Sequence, residues 1–514
     1  MTRLQLLAAR LVLVTSLLPA LLESQAPPSR LVGDPAQALD TYAAKAVTDW
    51  QVPGLAISVV KDDRIVFAKG YGVRELGRSA PTDTQTLFAI GSTTKAMTAA
   101  ALAMLVDEGK VRWDEPVTRY LPTFQTADPY VTREMTVRDL LTHRGGLGNA
   151  DYLWYESDVA AAELRRRVRF LRPAYSLRSS FIYQNVMYAV AGDVVEATSG
   201  LPWEEFVRRR IFAPLGMTRT VATLRETQAR DNVASPHDRV DGTIHVIRNA
   251  SVDPVAPAGS VWSSVADMAK WMRFMLDSGR TPNGRRLIEP ATWTELLKPQ
   301  TIVTAQGFYP TARLTRPHWT TYALGWFQQD YEGRAVSFHT GSIDGMVAII
   351  GLIPDERLGV YVLANLDHAE VRHALMYTVF DLWAPDAVRS ARPAMRDWSA
   401  EMLRLYGGIQ AQADSARRRQ ESQRVAGTRP TLPLDAYAGT YTDSIYGAAT
   451  VTLEQGQLVL RRGTRTAVLE HWHYDTFRAR WANAWQGTSM ATFIVGARGT
   501  PDRLEIGSAT FRRR

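Results

Sequence analysis

The stretch Leu87-Phe88-Ala89-Ile90-Gly91-Ser92-Thr93-Thr94-Lys95 joins a short apolar run to a segment rich in Ala, Met and Leu that reaches about Gly109. The composition of that second segment predicts a helix. Residues three apart lie on one face of a helix, so Ser92 and Lys95 are expected to stand side by side near its N-terminus. The unpaired N–H groups and the positive field there suit a serine nucleophile with lysine as proton acceptor. The same residues also fit an ordinary N-cap followed by a solvated lysine.

A second segment offers a further base and a polar amide. Tyr183-Gln184-Asn185 precedes a predicted helix, and residues two apart in an extended segment point the same way. A tyrosine beside an ammonium group can have a lowered pKa and act as a base. Asn185 can hold a substrate amide carbonyl and the lysine. Taken alone, the segment fits a loop tyrosine and a helix cap equally well.

A third segment, His339-Thr340-Gly341-Ser342, lies at the end of a predicted strand. Gly341 would let a substrate backbone approach the strand edge closely. The N–H of Ser342, together with that of Ser92, would form an oxyanion hole. His143-Arg144-Gly145 repeats the His-x-Gly pattern, but it begins a glycine-rich loop after a helix, and we interpret it as structural.

Predicted strands lie on both sides of a helical middle. Two precede Ser92 and four follow it, at Gly54–Val60, Arg64–Ala68, Tyr322–Asp330, Ala335–His339, Gly345–Ile353 and Leu358–Ala364. The clearest predicted helices are Ala36–Trp50, Thr136–Thr142, Ala160–Phe170, Val186–Thr198, Ser264–Leu276 and Glu370–Trp383. This order predicts one sheet assembled from both ends of a domain, with a helical insert.

The last part of the chain has a different pattern. A polar stretch, residues 386–430, is predicted to be a partly helical linker between the domain at 27–385 and a module at 431–514. Apolar residues in that module alternate between glycine turns, as in Val451/Leu453 and Phe493/Val495. Alternation of this kind predicts an all-β module with its own core.

The N-terminus has the pattern of a secretory signal peptide. Arg3 and Arg10 give a basic start, Leu11–Leu22 an apolar core too short to span a membrane, and Ser24-Gln25-Ala26 a small-x-small cleavage site. We therefore expect residues 1–26 to be removed and the mature chain, without a transmembrane span, to be periplasmic or secreted. An uncleaved anchor is the alternative.

Composition excludes several classes of function. The 514 residues contain no cysteine, which rules out disulfides, thiol catalysis and zinc-thiolate sites. The net charge of +8 comes from scattered arginines without interleaved aromatic residues, so we expect no nucleic-acid partner. His471 and His473 have no third ligand beside them, and we expect neither a metal nor another cofactor.

In their order on helix, loop and strand, the motifs Ser-x-x-Lys, Tyr-x-Asn and His-Thr-Gly resemble the serine β-lactamase/penicillin-binding protein superfamily. The nearest group is the class C β-lactamase-like serine hydrolases (peptidase family S12-like), and the similarity covers about residues 35–385. The final module, with Tyr437-Ala-Gly-Thr-Tyr441, resembles the lipocalin-like C-terminal domain of some of these hydrolases. The resemblance implies an α/β (α+β) domain, in which helices and a helical insert flank an antiparallel sheet, followed by an all-β barrel.

The resemblance also implies roles for the motif residues. Ser92 would be the acylated nucleophile, Lys95 and Tyr183 would share the general-base work, and Asn185 would position the substrate amide. The segment from His339 through Thr340 and Gly341 to Ser342 would bind substrate. Class C β-lactamases carry lysine where this chain has His339; because histidine is mostly neutral at about pH 7, dedicated antibiotic resistance is not expected.

The sequence thus predicts an exported serine hydrolase that cleaves an amide or ester, most plausibly in a peptide, through an acyl-enzyme on Ser92. A β-lactamase or carboxylesterase on the same machinery is one alternative. A penicillin-binding sensor that acylates without turnover is another, and a non-catalytic binding protein is a third. The expected partner is a small peptide, amide or ester substrate, and a homo-oligomer is also compatible with the sequence.

Overall fold

The computed structural model describes residues 33–384 and 395–514. The predicted signal peptide, residues 1–26, and the first residues of the predicted linker lie outside this part of the chain. The α-helices, α1 to α15, are Pro35–Asp49, Thr94–Asp107, Pro129–Glu134, Val137–Leu141, Ala161–Arg167, Asn185–Ser199, Trp203–Val207, Ala213–Leu215, Leu224–Thr227, Ala256–Gly259, Val265–Leu276, Pro290–Leu297, Ala312–Thr315, Val371–Trp383 and Trp398–Ser422.

The first domain is built on an eight-stranded antiparallel sheet and two short two-stranded pairs. Its strands, β1 to β12, are Gly54–Lys61, Arg64–Gly72, Phe88–Ala89, His237–Val240, Thr243–Val246, Trp262–Ser263, Thr301–Ile302, Thr320–Tyr322, Phe327–Tyr331, Arg334–Ile343, Met346–Ile353 and Leu358–Ala364. The order across the large sheet is β2-β1-β12-β11-β10-β9-β8-β7. The predicted sheet assembled from both ends of the domain is confirmed, because β1 from its N-terminal part pairs with β12 from its C-terminal part.

The two faces of this sheet form two separate cores. Along β1, Leu55 and Ile57 pack with α1 and α14, whereas Ala56 and Val60 pack with α2 and α11 on the other side. Successive side chains of a strand point to opposite faces, so β1, which is buried on both sides, is apolar at nearly every position. Helices therefore cover both faces of the sheet, as the predicted fold class requires.

One predicted strand is divided in the structure. Tyr322–Asp330 was expected to be continuous, but it separates into β8 and β9 around Gly325, whose φ is +85°. A Cβ at Gly325 would stand 3.0 Å from the backbone of Lys95. The turn thus lets the sheet edge approach the first turn of α2, which only glycine allows at this φ.

The C-terminal module is a closed eight-stranded antiparallel barrel, which confirms the predicted all-β fold. Its strands, β13 to β20, are Gly439–Asp443, Gly447–Glu454, Gln457–Arg462, Arg465–His473, Thr476–Trp481, Thr488–Val495, Pro501–Ile506 and Ala509–Arg513. Inward-facing residues such as Tyr437, Phe477 and Phe493 fill it with rings in edge-to-face contact.

Helix α15 runs between the two domains. Trp398 and Met402, near its start, are buried in the α1/α14 core. Beyond the helix, Arg424 donates a 2.8 Å hydrogen bond to the Trp472 carbonyl of the barrel. Most of the helix between these anchors is exposed and polar, which is typical of a solvent-bridging helix. Across 33–384 and 395–514, no helix combines the length and the hydropathy needed to cross a membrane.

Candidate active site

Ser92 lies in a 3-10 turn, Gly91–Thr93, that leads directly into α2. From Thr86 to Leu105 it is the one residue that is not buried. The rest of the turn and nearly all of the Ala-rich helix are enclosed by the α2/α11 core. The fold therefore holds this segment rigidly and presents only the serine to solvent.

Lys95 is fully buried and contacts three oxygens. Its Nζ lies 2.9 Å from Ser92 Oγ, 2.8 Å from Asn185 Oδ1 and 2.8 Å from the carbonyl of Ala258. The predicted pairing of Ser92 and Lys95 is present in the structure, because residues i and i+3 are aligned in a 3-10 turn. The alternative of a solvated lysine behind a helix cap does not describe this side chain.

The surroundings of Lys95 favour its neutral form. Burial lowers its pKa well below the ordinary value, and the charge of Asp151 offsets only part of this effect. A neutral amine has two N–H donors and one lone pair. The oxygens of Asn185 and Ala258 can only accept, so they take both donors, and the lone pair is left facing the hydroxyl of Ser92. This arrangement is that of a general base.

Tyr183 lies beside this pair, with its ring centroid 4.7 Å from Lys95 Nζ. Its hydrogen bond with Ser92 acts to lower its pKa, but burial is the larger effect and raises the pKa well above the ordinary value. The sequence had suggested that the neighbouring lysine lowers it. Because burial favours the neutral lysine, that effect is weakened, and burial favours the protonated phenol. These directions favour Lys95 over Tyr183 as the proton acceptor.

His143 holds the Tyr183 loop in place. Its carbonyl accepts a 2.8 Å hydrogen bond from the N–H of Ile182, and its Nδ1 accepts one of 3.1 Å from the N–H of Gln184. The centroids of the His143 and Tyr183 rings lie 4.3 Å apart. Burial lowers the pKa of His143 well below its usual value, so the ring is neutral. These contacts fit the prediction that His143 has a structural role. The residue nevertheless lies directly beside Tyr183, within the candidate active site.

Asn185, the first residue of α6, is oriented from both ends. Its Oδ1 accepts from Lys95, and its Nδ2 donates a 3.0 Å hydrogen bond to Asp151 Oδ1. Asp151 is in turn fixed by the Trp154 indole, which donates to the same oxygen at 2.9 Å. Asn185 thus does not act as a simple helix cap. The sequence analysis had not singled out Asp151, which lies 34 residues before Asn185.

The strand β10 crosses the Ser92 turn with two glycines in contact. A Cβ on Gly341 would stand 1.9 Å from the carbonyl oxygen of Ile90 and 3.0 Å from the nitrogen of Ser92. A Cβ on Gly91 would stand 2.7 Å from the nitrogen of Ser342. Gly341 was expected to make room for substrate. On the side where a side chain would stand, it makes room for the nucleophile turn, which brings the backbones of Ser92 and Ser342 together.

A buried ion pair supports β10 from behind. Arg372, near the start of α14, donates to the carbonyl of Gly341 at 2.6 Å and to Ser342 Oγ at 2.9 Å. Its other donors bond both oxygens of Glu370 at 3.0 and 3.1 Å. Arg372 and the neighbouring His373 hold the pKa of Glu370 well below its usual range despite burial. The bidentate pair therefore fixes the strand segment that would carry one oxyanion donor.

His339 and Thr340 are both buried on β10. The Nδ1 of His339 donates to the carbonyl of Thr340 at 2.6 Å, and its Nε2 accepts a 3.0 Å hydrogen bond from the hydroxyl of Tyr322. Burial is the main cause that lowers its pKa to about 3. Thr340 Oγ1 lies 2.7 Å from the Tyr309 hydroxyl. Both side chains thus shape the wall of the site from inside, whereas Ser342 is exposed beside Ser92.

Comparison with known sequences gives a consistent match. The family described as Beta-lactamase matches residues 39–381, and the domain of unknown function DUF3471 matches residues 423–513. The unguisins hydrolase ungD of Aspergillus violaceofuscus is 29% identical over 500 residues, which cover 90% of this chain and 86% of that protein. Penicillin-binding protein 4 of Amycolatopsis lactamdurans is 28% identical over a region that covers 62% of this chain and 82% of that protein.

Solved structures share the fold at low sequence identity. The octameric penicillin-binding protein homologue from Pyrococcus abyssi superposes with a TM-score of 0.59 at 21% identity, over 92% of this chain and 99% of that chain. A D-stereospecific amidohydrolase from Streptomyces sp. superposes with a TM-score of 0.54 at 20% identity, over 68% of this chain and 98% of the other. The first of these likenesses extends over nearly the whole chain, barrel included.

Proposed function

Because the chain belongs to the Beta-lactamase family, we propose that it is an exported serine hydrolase that cleaves an amide or ester bond, preferentially in a peptide, through an acyl-enzyme on Ser92. The observation that carries the proposal is the contact of a fully buried lysine with a serine hydroxyl at 2.9 Å, while two pure acceptors take the other donors of that lysine. Burial of a titratable group in this arrangement is typical of catalytic bases.

In the proposed acylation, Lys95 accepts the proton of Ser92 Oγ as that oxygen attacks the substrate carbonyl carbon. The N–H groups of Ser92 and Ser342 stabilise the negative charge that develops on the carbonyl oxygen. Collapse of the intermediate breaks the bond to the leaving amine or alcohol, which receives a proton from the Tyr183 phenol. The proton held by Lys95 then restores that phenol.

In the proposed deacylation, the same groups act in reverse on water. Lys95, neutral again, accepts a proton from the water molecule that attacks the acyl carbon. The ester bond to Ser92 breaks, its oxygen takes the proton that Lys95 holds, and the carboxylic acid leaves. No external oxidant, reductant or metal is required by these steps.

The preference for a peptide amide draws on two arguments. The relative from Aspergillus violaceofuscus is named a hydrolase of unguisins, and it is similar over most of both chains. His339, where class C β-lactamases carry lysine, is neutral and has both nitrogens engaged. It therefore offers no fixed positive charge to the carboxylate of a β-lactam. An amide within a peptide does not need such a charge.

A substrate panel tests the proposed function. We expect purified protein to hydrolyse D- or L-aminoacyl amides or short peptides faster than short acyl esters or the chromogenic β-lactam nitrocefin. Rates are compared at equal enzyme concentration, with Ser92→Ala as the blank. Stable acylation by a penicillin without turnover of any substrate would favour the sensor, and nitrocefin as the best substrate would favour a β-lactamase.

The pH dependence of the reaction is a second test. Lys95 serves as a base only when neutral, so kcat/KM should fall as the pH drops through its pKa. The carboxylate of Asp151 favours the ammonium form. Asp151→Asn keeps an acceptor for Asn185 but removes the charge; it should lower the pKa of Lys95 further and move the acid limb to lower pH. Asp158→Asn, an exposed acid in the same loop, is the control and should leave the limb in place. An acid limb that stays or rises in Asp151→Asn would contradict Lys95 as the base.

Export is the part of the proposal that concerns location. It draws on the basic start and short apolar core of residues 1–26. N-terminal sequencing of the protein recovered from the periplasm or the medium tests it, and a start at residue 27 is expected. Recovery of an intact N-terminus in the membrane fraction would favour the uncleaved anchor instead.

A further inference from the structure

A short loop connects the catalytic network to the barrel surface. Asp151, which orients Asn185, begins a 3-10 turn at Asp151–Leu153. The turn continues in hydrogen bonds from the backbone of Trp154 and Tyr155 to the carbonyl of Asp151, at 3.2 and 2.9 Å. Residues 151 to 155 are therefore tied into one compact turn, which Glu156 directly follows. A group that holds Tyr152 or Glu156 thus acts within one turn of the Asp151 carboxylate.

The barrel binds this turn through residues at and beside the turn between β15 and β16. Arg462 donates a 2.9 Å hydrogen bond to the carbonyl of Tyr152 and places its guanidinium 5.4 Å from the centre of the Tyr152 ring. The N–H of Thr464 donates to the carbonyl of Glu156 at 3.1 Å, and its hydroxyl lies 3.1 Å from that carbonyl and 2.8 Å from Glu156 Oε2. A Cβ on Gly463 would stand 2.5 Å from that same carbonyl, so the two backbones are in direct contact.

Arg462 is an unusual residue for a barrel surface. It is 8% exposed, and in the parts of the chain that the structure describes it forms no ion pair. A buried guanidinium without a carboxylate is costly, and packing alone does not call for one. Its neighbour Arg461 points the other way and forms an exposed pair with Glu454. The contact with the Tyr152 carbonyl is thus the main polar interaction that accounts for Arg462.

Given the serine hydrolase function proposed above, we propose that Arg462 and Thr464 are positioning residues, through which the barrel holds Asp151, and hence Asn185 and Lys95, in the reactive geometry. The path is continuous: barrel turn, carbonyls of Tyr152 and Glu156, Asp151 carboxylate, Asn185 amide, Lys95 amine. The barrel thereby completes the site without contacting the reacting atoms.

Loss of this support has two expected consequences. In Arg462→Ala the loop is freer, and a displacement of about 1 Å should slow acylation by about 10- to 100-fold with little change in KM. The Asp151 carboxylate also moves away from Lys95, so the acid limb of the pH profile should shift to lower pH, as in Asp151→Asn. The groups around that amine, Tyr183, Tyr188, His143 and His339, are unchanged.

The experiment compares full-length variants in single-turnover acylation across pH, with thermal unfolding measured for each. Arg462→Lys retains a donor for the Tyr152 carbonyl and should recover much of the rate. Thr464→Val, which removes only side-chain hydrogen bonds, should change rate and pH profile in the same directions, and it decides the case if Arg462→Ala does not fold. Arg461→Ala is the matched control and should behave as wild type.

The outcomes separate this proposal from the function on which it rests. Folded Arg462→Ala and Thr464→Val with wild-type acylation and pH profile would overturn the positioning role, provided that Asp151→Asn does shift the limb. A slower rate with an unmoved limb would also overturn it, since that pattern indicates general loosening. If wild type is not acylated at Ser92 at all, the failure lies with the proposed function.

Discussion

The Ser92→Ala variant is expected to lose all covalent labelling by a fluorophosphonate probe and to turn over the best substrate at least about 10⁴-fold more slowly than wild type. The reason is chemical: among the residues that the structure describes, Ser92 has the only hydroxyl in hydrogen-bond contact with the Lys95 amine. Removal of one oxygen from a partly exposed residue should leave the surrounding core intact. Intact-protein mass spectrometry measures the labelling, and initial rates measure the turnover.

Thr94→Val is the matched control for this variant. Thr94 is two residues away and is fully buried, and its hydroxyl has no hydrogen-bond partner among the described residues. Its replacement removes a hydroxyl from the same segment without a change of shape, so labelling and turnover should remain near wild type. Wild-type turnover in Ser92→Ala would refute the acyl-enzyme, whatever the labelling shows.

The second large effect is expected for Lys95→Met. If Lys95 is the base for Ser92, the two act as a unit, and the loss of turnover should come within about tenfold of that in Ser92→Ala. The double variant should lose little more than either single one. Methionine has a similar length and no charge, but it leaves Asn185 Oδ1 and the Ala258 carbonyl without their donor, and a buried group left unsatisfied costs about 1–3 kcal/mol. We therefore expect the Tm to fall by a few degrees while the protein stays folded and activity disappears.

Lys69→Met serves as the control for this experiment. Lys69 is half exposed and pairs with Asp40 on the surface, where such pairs contribute about 0–1 kcal/mol. Its loss should change neither kcat/KM nor Tm appreciably. The base assignment fails if Lys95→Met keeps more than about a hundredth of the wild-type rate, or if effects of the two single variants multiply in the double variant.

Much of the site was predictable because its main residues lie in short local patterns. The spacing of Ser92 and Lys95 fixes their contact through helical geometry alone. Tyr183 and Asn185 lie next to the start of a helix, α6. The strand periods of β1 and β12 likewise predict a buried sheet, since runs of apolar residues need two covered faces.

What could not be predicted depends on contacts between distant segments. Asp151 lies in a polar stretch, Asn149-Ala150-Asp151, that looks like any turn, and only the fold brings it to Asn185. The hydroxyl of Tyr322, which bonds His339, is on another strand. The burial of His339 could therefore not be inferred from the alternation of apolar and polar residues along its own strand. A glycine pattern near Asp151, Gly145-Gly146-Leu147-Gly148, was the available signal that this loop is constrained.

The pairing of β1 with β12 also bears on how the chain folds. Leu55 meets Ala364 across 309 residues, and the last strand that enters the sheet lies in its interior, between β1 and β11. Contacts of such sequence separation slow folding, because loop-closure entropy is lost before they form. During synthesis, the nucleophile turn emerges about 250 residues before Ser342, so a ribosome-bound chain holds a serine without its oxyanion strand. Under the proposed mechanism, the protein therefore stays inactive until the whole domain has emerged, and its reactivity begins only after translation of the sheet is complete.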